Sequence, residues 1–80
     1  MLPLVMLREG EKALVLRFED DGAEFKRIRS FGLDINSEVT VVTSQASAGG
    51  PLLLLVNGGR YALDYNIACK IFVQPLGNDA

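Results

Sequence analysis

The sequence predicts a mostly β domain, a small closed or nearly closed barrel of about five strands with one short helix and one helical turn. Three observations carry this prediction. Within Ala13–Glu19, Leu14, Leu16 and Phe18 alternate with Val15, Arg17 and Glu19, the period of a strand with one face inward. An Asn57-Gly58 pair separates two apolar runs, a strong hairpin signal because both residues tolerate positive φ. The connections between strand-like runs are short, and closing the sheet removes the unpaired edges that burden a thin domain.

Along the chain, the apolar Leu4-Val5-Met6-Leu7 runs into a turn at Gly10. In the first strand Leu14, Leu16 and Phe18 alternate with Val15, Arg17 and Glu19. Asp20-Asp21-Gly22 breaks this strand and has the chemistry to cap a helix. Phe25, Ile28 and Phe31 then fall three apart, a short helical pattern over Glu24–Phe31. Gly32 suits the left-handed position after a helix, and Leu33 folds back over the helix end. Asp34-Ile35-Asn36-Ser37 is turn chemistry. Glu38–Ser44 is rich in β-branched residues and reads as a strand. Ser47-Ala48-Gly49-Gly50-Pro51 reads as a loop. Leu52–Val56 and Arg60–Leu63 are the arms of the hairpin. Asp64 stands where it would cap a helical turn through Tyr65–Cys69, and Lys70–Val73 is a last strand. The expected organisation is one domain over residues 1–80, with its core in 4–74 and a loose tail from 75 to 80.

Composition narrows the function classes. The chain has 80 residues, of which 49% are hydrophobic, enough for one compact core. A chain of that size buries only about 60% of its unfolded surface, so every core position counts. A single cysteine precludes an internal disulfide, which favours a reducing cytoplasm. The apolar start, Met1–Leu7, is short and lacks a preceding basic residue, unlike a signal peptide. No run approaches the roughly 20 apolar residues of a membrane span, so direct membrane insertion is not expected. Net charge is −2, without the basic stripe of a nucleic-acid binder.

The chemistry-bearing residues are few. There is no histidine, the usual general acid–base near neutral pH. Cys69 stands alone in an apolar setting and reads as a small hydrophobe, not a zinc ligand. Glu19-Asp20-Asp21 offers oxygen ligands for a hard cation, but strand-end capping and solvation account for the run. Gly49-Gly50 lacks the context of a phosphate loop. No catalytic, cofactor-binding or metal-ligating residue is assigned.

Two features remain as candidates for partner binding. In the first, Leu53 and Leu55 point one way, and Leu52, Leu54 and Val56 the other. Either the helix or N-terminal segment covers the second face, or an apolar strip meets a partner or a second copy. The second is the basic cluster of Lys26, Arg27 and Arg29, either a solvated helix face with a Glu24–Arg27 pair or a contact for acidic groups.

The order of signals also carries a resemblance. Leu4-x-x-Leu7-x-x-Gly10-Glu11 opens the chain, and Ile28-x-x-Phe31-Gly32-Leu33 ends the helix. Glu38-Val39-x-Val41, Gly50-Pro51, Gly58-x-x-Tyr61-Ala62-Leu63 and Ala68-x-x-Ile71-x-Val73 follow. Taken in order over Leu4–Val73, this set resembles the ferrous iron transport protein A (FeoA) family. The resemblance implies an SH3-like barrel and a cytoplasmic, non-enzymatic accessory of the membrane ferrous iron transporter, the large FeoB-type protein with a cytosolic GTPase domain. The same domain type closes some iron-dependent repressors, but the helix-turn-helix and metal ligands of those chains are not found here. Ser37 stands where the family often has Gly, and Asn36 is suited to take the left-handed conformation in its place. Two alternatives stay open: a generic SH3-like peptide-binding or self-assembling module, and, against the acidic charge, a small RNA-binding barrel.

Overall fold

The computed structural model describes residues 1–77. A six-stranded antiparallel sheet is ordered β1-β6-β2-β3-β4-β5. The strands are β1 (Leu2–Pro3), β2 (Lys12–Phe18), β3 (Glu38–Ser44), β4 (Leu52–Val56), β5 (Gly59–Leu63) and β6 (Ile71–Pro75). Helix α1 (Ala23–Ser30) joins β2 to β3, and the single turn α2 (Tyr65–Ala68) joins β5 to β6. The ladder ends at β1 on one side and β5 on the other, so the sheet keeps two edges that no strand pairing joins. Among the described residues, no helix is long and apolar enough to cross a membrane.

The added sixth strand is β1. Leu2 pairs with Val73 and Pro3 with Phe72. Proline sits there without penalty because an edge strand does not need its N–H on the outer side. The last strand also runs further than expected. Pro75 pairs with Ala13, and the Leu76 N–H donates to the Lys12 carbonyl at 2.9 Å. The expected loose tail therefore does not begin at 75, and its last three residues, 78–80, lie outside the described residues.

In β2 a bulge decides which face is inside. Val15 pairs with Val73 but Arg17 with Phe72, so Leu16 is an extra residue. Ala13 and Val15 are fully buried before the bulge, and Phe18 packs on the core after it. Leu14 and Leu16 are only half-buried. The extra residue shifts the phase of alternation, which a strict period of two cannot anticipate. A second bulge, at Val42, does the same in β3, since Val41 pairs with Leu54 and Thr43 with Leu53.

Helix α1 starts at Gly22 without a side-chain cap. Asp20 instead accepts the Gly22 N–H at 2.9 Å and lies 3.7 Å from the Lys70 ammonium. That ion pair is the one found among the described residues, and Glu24–Arg27 does not form. Phe25 and Ile28 are the buried stripe of α1. Phe25 meets Phe18 edge to face at 6.2 Å, which fixes the helix against β2. The helix ends where expected, with Gly32 at φ +103°. The next turn holds Asn36 at φ +72°, and Ser37 ties it down. The Ser37 hydroxyl donates to the Gly32 carbonyl at 2.6 Å and accepts the Asp34 N–H at 3.0 Å. Between β3 and β4 the expected loop contains a 3₁₀ turn, Ala46–Ala48. Asp64 does precede α2, but its side chain makes no cap bond.

The core is one cluster drawn from every strand except β1. Leu52, Leu54 and Val56 of β4 meet Val39, Val41, Val15, Ile71 and Val73, with Leu4 closing one end. No polar or charged side chain is buried among the described residues.

Candidate functional site

A groove of about 280 Å³ opens between α1, β5 and α2. Leu33, Leu54 and Val56 line its apolar side. Ile28 and Arg27 come from α1, and Ile67 from α2. The helix places these two α1 residues because Ile28 belongs to its buried stripe and Arg27 stands beside it.

Phe31 and Tyr61 form a shelf in this groove. Their rings stack with centroids 5.2 Å apart and planes 5° from parallel. Phe31 is 43% exposed and Tyr61 is half-buried, packed on the edge of the core, so the shelf turns one aromatic face, that of Phe31, to solvent. Such a pair contributes roughly 0.5–1.5 kcal/mol beyond its buried area. Gly59 makes room for it. A Cβ at residue 59 would sit 2.8 Å from the Tyr61 hydroxyl and 3.0 Å from its ring. Gly59→Ala is therefore expected to lift Tyr61 off Phe31 at a stability cost of about 1 kcal/mol. Loss of the ring-current shifts of Phe31 in NMR spectra would show it.

The rim is polar. Arg27, Arg60 and Asp64 border the groove, with Arg60 opposite Leu55 on the strand. The β5 backbone forms one wall. Val56 pairs with Gly59 across the two-residue turn, Leu54 with Tyr61 and Leu52 with Leu63. In a two-residue hairpin these are the hydrogen-bonded pairs. Arg60 and Ala62 thus turn their N–H and C=O groups to the free edge.

The family model described as the FeoA domain matches residues 2–75. The chain belongs to the FeoA family. It is 30% identical over 74 residues to a protein of Methanocaldococcus jannaschii described as an Fe(2+) transport protein A, covering 92% of this chain and 87% of that one. The FeoA structure from Chlorobium tepidum superposes with a TM-score of 0.85 at 26% identity, over 99% of this chain and 74% of that one. FeoA of Stenotrophomonas maltophilia, crystallised with zinc and described as an SH3 domain protein, superposes with a TM-score of 0.78 at 28% identity, over 92% and 91%. The fold is accordingly an SH3-like barrel.

Within this FeoA domain the sequence candidates separate. Leu52 is fully buried, paired with Leu63 and Ser44 on the inner face of β4, and so does not reach a partner. Leu53 is half-buried and Leu55 is 37% exposed, both on the outer face of the sheet. Neither helix covers that face: α1 and α2 line the groove with the inner-face Leu54 and Val56. The basic cluster splits as well. Lys26 is exposed, and Arg27 reaches the groove rim. Arg29 is drawn over Phe18, its guanidinium 4.6 Å from the ring centroid. Its buried Nε has no hydrogen-bond partner, so the ring face is its main electrostatic contact. Cys69 is half-buried, its thiol directed at the Asn66 carbonyl at 3.2 Å. Among the described residues no three His, Cys, Asp or Glu side chains converge as metal ligands.

Sequence reasoning missed the Phe31–Tyr61 shelf and Arg60. Aromatics in a thin domain read first as core. The available signal was Gly59, a glycine two residues from an aromatic on the same strand face, which marks a ring lying along the backbone.

Proposed function

We propose that this protein is a non-enzymatic cytoplasmic accessory of ferrous iron uptake that binds the cytosolic region of a FeoB-type membrane transporter and modulates it. The observation that supports this most is the Phe31–Tyr61 shelf, its Phe31 face turned to solvent, beside Arg27 and Arg60, in a chain of the FeoA family. Exposed aromatics and arginines are the side chains that anchor protein interfaces. The kinship with an Fe(2+) transport protein A of Methanocaldococcus jannaschii supports the iron system as the setting. Recruitment by the transporter would hold the domain at the inner face of the membrane.

Titration of the transporter's cytosolic region with the purified chain tests this. Phe31→Ala is expected to weaken binding by about tenfold or more, as loss of an interface anchor does. Leu55→Glu and Lys26→Glu probe the outer β4 face and the remaining helix charge separately. Absence of binding to any cytosolic region, with normal iron uptake after deletion of the protein, would overturn the proposal. The second reading, a generic SH3-like interaction module, has the same aromatic groove in its favour. A peptide array that yields a defined motif absent from the transporter would select it.

A further inference from the structure

We propose that the groove receives a single extended, acidic peptide segment, which adds to the free edge of β5 as a seventh strand. The inference rests on the docking role proposed above and specifies the chemistry of the segment that docks.

The edge itself is the first argument. Arg60 and Ala62 are exposed, and the register turns their backbone groups away from β4. No described residue donates to or accepts from those groups. The edge stops at Asp64, whose carbonyl is taken by the N–H groups of Ile67 and Ala68 at 3.2 and 3.0 Å. A short open edge of this kind pairs with an extended chain, whose main-chain bonds supply affinity while alternate side chains supply specificity.

The groove supplies both kinds of side-chain subsite. On the inner face, every second residue of the incoming strand meets the Phe31–Tyr61 shelf and Ile28. On the outer face the intervening residues pass Arg60, which register places opposite Leu55. Arginines thus stand on both faces of the edge, Arg27 beside the groove and Arg60 on the outer face, against the one carboxylate of Asp64, and favour an acidic segment. An exposed edge commonly carries charge to repel wrong partners, and Arg60 on this strand selects against a basic one. A second copy of this chain is a poorer occupant, because it would bring its own α1 and α2 to the same edge.

The test is an NMR titration of the isotopically labelled full chain with the capped peptide acetyl-Glu-Val-Glu-Val-Glu-amide. The Arg60 and Ala62 amides are expected to shift most and their hydrogen exchange to slow. Three changes should each reduce affinity by about tenfold or more: Lys in place of every Glu, N-methylation of the alternate peptide bonds that face the edge, and Arg60→Glu in the protein. Because the probe is a free peptide, its failure is distinct from a failure to bind the transporter. No shifts at millimolar peptide would overturn the proposal, as would shifts confined to Leu53 and Leu55. Equal binding by the Lys or N-methylated peptide would overturn it too, as would a dimer of the chain that protects the Arg60 and Ala62 amides.

Discussion

Leu52→Glu is expected to abolish folding, whereas Leu53→Glu is expected to leave a folded domain, although the two residues are adjacent. Leu52 has no exposed surface and packs on the inner face of β4, opposite Leu63. Losing its apolar burial alone costs about 1.5–3 kcal/mol. The carboxyl group adds several more, because it either stays charged in an apolar core or takes a proton to enter it. No buried polar side chain waits there to pair with it. A domain of this size has a total stability of roughly 4–12 kcal/mol, so the sum approaches or exceeds what holds it together. Leu53 lies on the outer face, half-buried, where water solvates a carboxylate. Its replacement should cost about 1 kcal/mol, a fall in Tm of roughly 4–8 °C. Circular dichroism melts of the two variants check this directly. A folded Leu52→Glu with Tm near that of the parent would mean that the inner face of β4 has been misassigned.

Gly32→Ala is the second large effect, expected to lower stability by about 1–3 kcal/mol. Two causes act at this position. Its φ of +103° is a conformation that L residues rarely adopt. A Cβ there would also sit 2.4 Å from the Asn57 side-chain nitrogen. The side chain can swing aside, but the backbone cannot relax, because the Gly32 N–H is bonded to Arg29 and its carbonyl to the Ser37 hydroxyl. The backbone term should therefore dominate. For a domain of this length the loss corresponds to a fall in Tm of roughly 5–20 °C. The double variant Gly32→Ala/Asn57→Gly separates the causes, since glycine suits the positive φ at Asn57. Most of the loss should persist in it. Full recovery would show that the clash, not the backbone, sets the cost. Because Phe31 immediately precedes Gly32, the variant should also disturb the aromatic shelf.

Several elements were legible locally. The β-branched run Glu38–Ser44 and the leucine run Leu52–Val56 form strands with those same ends. Asn57-Gly58 turns the hairpin with both residues at positive φ, and Asn36 takes the left-handed place that Ser37 could not readily fill. The candidate site was less legible. Of the six residues singled out, only Arg27 lines the groove, because Leu52 faces the core and Arg29 is captured by Phe18.

What the amino-acid order by itself determined was five of the six strands with the turns between them, the family, and the scarcity of groups for acid–base or metal chemistry. Backbone preferences and the short apolar periods act over a few residues, so they can be read where they occur. Tertiary structure alone decided the bulges at Leu16 and Val42, the pairing of β1 with β6, the stacking of Phe31 on Tyr61, and the exposure of the β5 edge. Each depends on a partner far along the chain: Val73 for the first bulge, Leu54 for the second, Tyr61 for Phe31. The edge is free because, among the described residues, no other strand lies beside it, and nothing in Arg60 or Ala62 encodes that absence.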